Sequence, residues 1–237
     1  VIDGCPPGIE LDLEQLQKEM DRRKPGQGGA SSPRKEPDKL EILSGVFTLE
    51  NEQNPRTTGT PISLQIRNKD AHSRSYTHLK DIFRPGHGDI TYLAKYGLRD
   101  HRGGGRASAR ETAARVAAGA VATQVLSKFG IEVKACTVAL GGVEAKKRDF
   151  NEISNNPYFC PDAGAAALME KRVSEVRQLG DTVGGVVEIV AQCPPGLGEP
   201  VFNKLDADLA HALMSIGAVK GVEIGAGFGV AGMLGSE

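Results

Sequence analysis

Gly103-Gly104-Gly105-Arg106-Ala107-Ser108-Ala109-Arg110-Glu111-Thr112 leads into an apolar run that closes at Gly130. Ser108 and Glu111 have the Ser-x-x-Glu spacing of a capping box, which predicts a helix from Ser108 to about Phe129. Gly130 supplies the stop. No charged residue lies between Arg115 and Gln124, so the middle of this helix is expected to be buried on all sides. A strand is expected at Ile131–Leu140 directly after it. A glycine triplet at the start of a buried helix has a chemical meaning as well. Helix N-termini carry unpaired N–H groups and a positive dipole end, and glycine lets a ligand approach the backbone.

Working outward, residues 9–22 read as a helix with Leu13, Leu16 and Met20 on one face. Lys24–Pro37 is a loop of Gly, Pro, Ser and charge. Leu40–Phe47 and Pro61–Asn68 read as two strands with a long connection. Residues 69–106 show little periodicity and are expected to be irregular. Helices are expected at 163–179, with Leu168, Val173 and Val176 among the apolar positions, and at 201–215. Val183–Ala191 reads as a strand and Gly221–Met233 as a glycine-rich strand pair. Cys5-Pro-Pro-Gly8 and Cys193-Pro-Pro-Gly196, 188 positions apart, each stand before a helix. They suggest an internal duplication, with shared turn chemistry as the plainer explanation.

Composition limits the function classes. The 237 residues carry 29 Lys and Arg against 30 Asp and Glu, a net charge of −1. That balance argues against bulk binding of nucleic acid or of an acidic membrane. No apolar run approaches the roughly 18–20 residues of a spanning helix. With 39% hydrophobic and 25% charged residues the chain reads as globular. Glycine is high at 30 residues and Trp is absent, so aliphatic residues and Ala must build the core. Cys5, Cys136, Cys160 and Cys193 form no CxxC pair; a long-range disulfide stays open, while reduced thiols suit a cytosolic enzyme better. The chain opens without Met and stops in what reads as a strand or the loop after it, and is read as a single domain over 1–237, cut at both ends.

The segment 84–115 holds seven Lys or Arg against three acids, a local excess of four positive charges. Arg106 and Arg110 flank the glycine triplet with forked donors suited to phosphate or carboxylate. This predicts an anion site that is neither a Walker loop nor a dinucleotide fingerprint. His87, between Gly86 and Gly88 and near Arg84 and Asp89, is a candidate acid or base. His72, His78, His101 and His211 are expected to be solvated. No pair of His has metal-ligand spacing on a helix, so no metal is expected. Arg22-Arg23-Lys24 either closes the first helix electrostatically or forms a second anion clamp. An anion- or RNA-binding module without catalysis is the competing class. RNA recognition wants interleaved aromatics, and here only Tyr92 and Tyr96 lie among the cations.

Several ordered motifs resemble the chorismate synthase family. They are Arg84-Pro-Gly-His87, Lys95-Tyr-Gly97, Gly103-Gly-Gly-Arg-Ala-Ser-Ala-Arg-Glu-Thr112, Asp21-Arg-Arg-Lys-Pro-Gly26, Thr57-Thr-Gly-Thr-Pro61, Gly196-Leu-Gly-Glu-Pro200 and Ala218-Val-Lys-Gly-Val-Glu-Ile-Gly225. The resemblance implies an α/β layered β-α-β sandwich with internal sheets and outer helices, assembled as a homotetramer. It implies a cytoplasmic lyase, plastidic if the source is a plant. That lyase converts 5-enolpyruvylshikimate 3-phosphate to chorismate and phosphate by a trans-1,4 elimination. The family requires reduced FMN, for which NADPH is a candidate reductant, and no nucleic acid or membrane partner. Carried over by matching motif, His87 takes a catalytic position, and Arg84 and Arg110 substrate-binding positions. Arg23 matches a nucleotide- or substrate-binding position. Arg106, Ala107 and Ser108 match a flavin-binding tripeptide, and Gly217 and Ala218 a second flavin contact. Four departures stand out: Ala107 for the usual Ser, Gly88 for Ala, Gly29 for an Arg, and Gly217 for a frequent Asn. The family's Gly-Glu-Ser-His segment, with its other catalytic His, and its long C-terminal part have no counterpart here. The 237 residues alone are therefore expected to have an incomplete site.

Overall fold

The computed structural model describes residues 1–24, 36–69, 73–102 and 108–236. The glycine triplet 103–105, Arg106, Ala107, His72, Gly29 and most of the Lys24–Pro37 loop lie outside these described residues. The chain divides into two compact units, Val1–Ala71 with Ala113–Cys193, and His72–Thr112 with Pro194–Glu237. Both α-helices and β-strands are present, so the architecture is the expected mixed α/β.

In the first unit, α1 runs over Leu13–Arg23. Asp12 caps it by accepting from the Gln15 N–H at 2.9 Å. The helix begins four residues later than its apolar pattern predicts, and Leu13 is exposed while Leu16 and Met20 are buried. Strands β1 (Leu40–Ile42) and β2 (Val46–Phe47) split the expected Leu40–Phe47 strand. Gly45 makes the break. Its φ is +81°, and a Cβ there would stand 2.7 Å from the Pro61 carbonyl oxygen, so only glycine fits. β2 pairs antiparallel with β3 (Arg56–Thr57), and β1 with β4 (Leu64–Ile66). Thr57 is fully buried, accepting from Ile9 N–H at 3.0 Å and donating to the Pro6 carbonyl at 2.6 Å, which fixes the first Cys-Pro-Pro-Gly turn.

The eight-residue helix α2 (Asp89–Tyr96) belongs to the other unit and is described below. The Ser108–Phe129 run forms a 3-10 turn at Ala109–Glu111 followed by α3, Thr112–Ser127. Ser108 is the cap, but its hydroxyl accepts from Arg110 N–H at 3.3 Å rather than from Glu111, because the first turn is wound tighter than α. Burial is on one face only: Ala113, Ala117, Ala120 and Val121 are buried, and Ala114, Gly119 and Ala122 are exposed. An alanine-rich helix lacks the polar face that would have marked its solvent side in the sequence. That buried face packs with Leu11, Leu16, Met20 and Ile62 from the N-terminal segment. Gln124 joins α3 to the start of α1, accepting from Asp12 N–H at 2.9 Å and donating to the Asp12 carbonyl at 3.0 Å.

Strand β5 (Glu132–Leu140) lies between β6 (Val143–Glu144) and β7 (Gly185–Gln192), all antiparallel, with an irregularity at Thr137/Ala139. Helix α4 (Ala163–Gln178) buries Ala165, Ala166, Met169 and Val176, while Leu168 is exposed. Its cap, Asp162, accepts from four backbone N–H groups: Gly164, Ala165, Lys146 and Lys147. Those donors hold its carboxyl below the usual range. The thiols are all free; Cys5, Cys136 and Cys160 are buried, and burial pushes Cys5 and Cys136 up.

In the second unit, α5 covers Leu205–Met214, a later start than expected. Gly198 fits closely against that start, since a Cβ there would stand 2.5 Å from the Leu205 nitrogen. The Gly221–Met233 strand pair does not form. A 3-10 segment, Gly227–Gly232, replaces it, and Gly225 and Gly227 take φ of +62° and +56°, which turn the chain instead of extending it. Both Cys-Pro-Pro-Gly turns end on a left-handed glycine, Gly8 at φ +79° and Gly196 at φ +90°, and a helix follows each.

Leu16 is fully enclosed by the cluster that joins α1 to α3. Leu16→Ala is expected to lower stability by about 2–5 kcal/mol in urea denaturation, whereas Leu13→Ala has a much smaller effect.

Candidate functional site

Within the second unit, the segment expected to be irregular contains a 3-10 helix at Ser73–Leu79 and α2 at Asp89–Tyr96. Helix α2 closes at Gly97, which is left-handed at φ +72°. The Arg84-Pro-Gly-His87-Gly-Asp89 loop delivers the chain to its first residue, Asp89. That side chain is only 5% exposed, yet it carries a charge.

Three side chains converge on it. Arg84 makes a paired contact, donating from Nε to Oδ2 and from Nη2 to Oδ1, each at 3.0 Å. Its backbone N–H donates to Oδ2 at 3.1 Å. Arg99, from beyond α2, places Nη1 3.0 Å from Oδ2. His87 places Nδ1 3.1 Å from Oδ1 and 3.0 Å from Arg84 Nη2. Arg99 also donates to the carbonyls of Leu79, Lys80 and Ile82 at 2.6, 2.8 and 3.1 Å. The side rings of Phe83 and Tyr76 lie 5.3 Å from Arg99 and 5.8 Å from Arg84. One carboxylate thus ties the loop, the helix start and a distant arginine together.

The charge pattern follows. The Arg84 guanidinium holds the Asp89 carboxyl far below the usual carboxylate range, and the same contact raises Arg84. Two guanidinium groups against one carboxylate leave a net positive charge beside His87. Arg84 Nη1 and His87 Nε2 have no hydrogen-bond partner among the described residues, while Arg84 and His87 side chains are 27% and 25% exposed. The loop therefore offers a cationic donor and an imidazole nitrogen to an anionic ligand.

The other expected site residues stand elsewhere. Ser108 and Arg110 lie at the tight turn before α3. Gly217 and Ala218 form the exposed turn after α5, and Ala218 has φ +72°, a strained value for a residue with a Cβ. Arg23, in the first unit, pairs with the buried Asp38 at 2.8 Å. Arg106 and Ala107 fall outside the described residues. His78 and His211 are exposed, as expected, and His101 is half-buried. Asp89 and Arg99 were not legible as site residues. Asp89 would have been found by asking which acid could partner a loop holding Arg and His; nothing in the spacing marks Arg99.

The family model described as chorismate synthase matches residues 1–237. A chorismate synthase of Syntrophobacter fumaroxidans is 63% identical over 238 residues, covering all of this chain and 66% of the relative. One from Methanococcoides burtonii is 56% identical over 242 residues, covering all of this chain and 64% of the relative. A solved structure described as a crystal structure of chorismate synthase superposes with a TM-score of 0.78 at 34% identity, covering 99% of this chain and 66% of that one. The fold and the loop are those of a mixed α/β protein with an imidazole set beside an arginine–carboxylate pair. The chain belongs to the chorismate synthase family, and it spans a little under two thirds of the length of these relatives.

Because Asp89 titrates far below its ordinary value of 3.8, it is charged in both the folded and the unfolded chain above that value, and its ion pairs contribute fully there. Their contribution falls only as pH drops below about 4 and on through the folded-state pKa. Amide-exchange protection over residues 84–99 is expected to hold from neutrality to about pH 4 and to fail below it. Loss of protection between about pH 5 and 7 would contradict the assigned pairing.

Proposed function

We propose that this chain provides the substrate-facing loop of a lyase that converts 5-enolpyruvylshikimate 3-phosphate to chorismate and phosphate. The carrying observation is that Arg84 and His87 both meet the buried Asp89 while Arg84 Nη1 and His87 Nε2 have no hydrogen-bond partner among the described residues, in a chain of this family. The elimination removes a phosphate and a ring proton from a substrate with two carboxylates and one phosphate. Such a ligand needs fixed cations, and Arg84 is fixed by three hydrogen bonds donated to Asp89, two from its guanidinium and one from its backbone N–H.

The group the reaction needs is reduced FMN, which supplies electron density to the breaking carbon–oxygen bond. The residues present suit a phosphate-bearing ligand. Ser108 stands at a helix start with Arg110 beside it, and the turn at Gly217 and Ala218 exposes its backbone. Arg106 and Ala107 belong to the same proposed flavin-binding set by their motif, and Arg23, in the first unit, is a proposed nucleotide- or substrate-binding residue. His87 holds or supplies a proton at Nε2, and Arg84 orients an acidic group of the substrate, as does Arg110. NADPH as flavin reductant, a cytoplasmic location and a homotetramer belong to the same reading. Apolar side chains on β7, Val186, Val187, Ile189 and Val190, are exposed in the single chain, which supports burial by further protein. The anion- or RNA-binding module is not favoured, because the relatives are enzymes by name.

In a protein of the relatives' length, His87→Ala is expected to lower anaerobic chorismate formation with reduced FMN by about 10²–10⁴-fold while FMN still binds. Unchanged turnover would remove His87 from the reaction. A wild-type protein with no turnover would remove the assigned activity.

A further inference from the structure

We propose that Asp89 is the positioning residue for His87: its carboxylate takes the hydrogen of Nδ1, fixes the ring, and leaves Nε2 as the nitrogen that exchanges a proton with the ligand. The inference rests on the role of His87 given above and adds the group that sets its tautomer.

Asp89 is an acceptor and nothing else. Its carboxylate stays ionised at neutral pH under the Arg84 contact, and an ionised carboxylate has no hydrogen to give. Oδ2 already receives the Arg84 backbone N–H and Arg84 Nε, and Arg99 Nη1 lies 3.0 Å from it as an ion pair. Oδ1 receives Arg84 Nη2 and has a second lone pair, which faces Nδ1 at 3.1 Å. A bare Nδ1 at that distance would set a lone pair against a negative oxygen. An N–H there makes a charge-assisted hydrogen bond instead.

Arg84 Nη2 opposes this, since it is a donor 3.0 Å from the same Nδ1. Geometry decides between them. The three atoms form a triangle with sides of 3.0, 3.0 and 3.1 Å, so from Nη2 the directions to Oδ1 and Nδ1 diverge by about 60°. The hydrogen aimed at Oδ1 completes the paired Arg–carboxylate contact. Its sibling points about 120° away from it and so misses Nδ1 by a similarly wide angle, where hydrogen bonds are weak. Arg84 is thus spent on Asp89, and Asp89 takes Nδ1–H. The charged groups around the ring are Arg84 and Asp89 from its own loop, with Arg99 behind Asp89 and Tyr76 stacked beside Arg84.

Asp89 is also well placed to hold a ring still. It is the first residue of a helix, only 5% exposed, and tied by two arginines. A positioned base of this kind loses little by reorganisation when the proton moves at Nε2, because the imidazolium that forms still faces the same carboxylate.

The test uses the protein at the length of its relatives, with ¹⁵N-labelled histidine. In the neutral ring of the wild-type protein, the His87 hydrogen is expected on Nδ1. Asp89→Asn is expected to shift it toward Nε2 and to lower kcat about 10–100-fold with KM little changed. Asp89→Glu, which keeps the carboxylate, is expected to recover part of kcat. A wild-type hydrogen on Nε2 overturns the proposal, as does an Asp89→Asn protein with unchanged tautomer and kcat. If Asp89→Asn does not fold, the wild-type tautomer alone decides. A wild-type protein without turnover overturns the lyase reading, and the tautomer still decides the role of Asp89.

Discussion

A carboxylate that is almost out of solvent has to be surrounded by donors, and Asp89 meets that requirement with four hydrogen-bond contacts and an ion pair to Arg99. The need runs both ways. Arg84 is held in one orientation only because Asp89 accepts its paired N–H groups and its backbone N–H. Arg99 reaches back across α2 because the same carboxylate needs a second cation and because three carbonyls at the end of the 3-10 helix need a donor. Removing the acid would leave two guanidinium groups and an imidazole close together with nothing between them. The loop's shape and its positive surplus therefore have one cause.

The first unit solves a different problem. With no Trp and few other aromatics, its core is made from short side chains, and close approach replaces bulk. Gly45 lets the β1–β2 backbone pass the Pro61 carbonyl, and the alanine face of α3 lies against Leu11, Leu16 and Met20. Polar staples then set register where apolar contacts are not directional. Gln124 bonds both backbone groups of Asp12, and Thr57 bonds both sides of the first Cys-Pro-Pro-Gly turn. These bonds are local to that unit, as the ion pairs of Asp89 are to the other.

Periodicity read the long elements well and the short ones badly. Strand β5 and helix α4 fall within a residue or so of the pattern, and β1 pairs with β4 as the two strand-like runs suggested. Helix α2 was missed because its eight residues follow a run of Gly, Pro and charge that hides its start, and because its one buried residue is an aspartate. The glycine-rich tail reads as a strand pair from the sequence, whereas Gly225 and Gly227 take left-handed conformations that turn the chain. At the site, Arg84 and His87 could be named from their motif, but Asp89 and Arg99 could not be given roles. A long arginine reaching over a helix leaves no period in a sequence. Its value depends on where its guanidinium ends, and only the fold determines that.

Two of the departures from the family pattern acquire physical content in the same way. Gly88 stands at the cap of α2 with φ −70°, a conformation that alanine adopts freely, so the backbone does not require glycine there. The turn after α5 is the opposite case. Gly217 has no positive φ, and a Cβ on it would meet nothing within 4 Å, so an asparagine would fit. The strain sits one residue later, on Ala218 at φ +72°. An L-residue stays in that region when its surroundings or its ligands fix the backbone, and such strain collects at binding loops. The left-handed turn at Ala218, more than the side chain at position 217, is therefore the constrained feature of this segment.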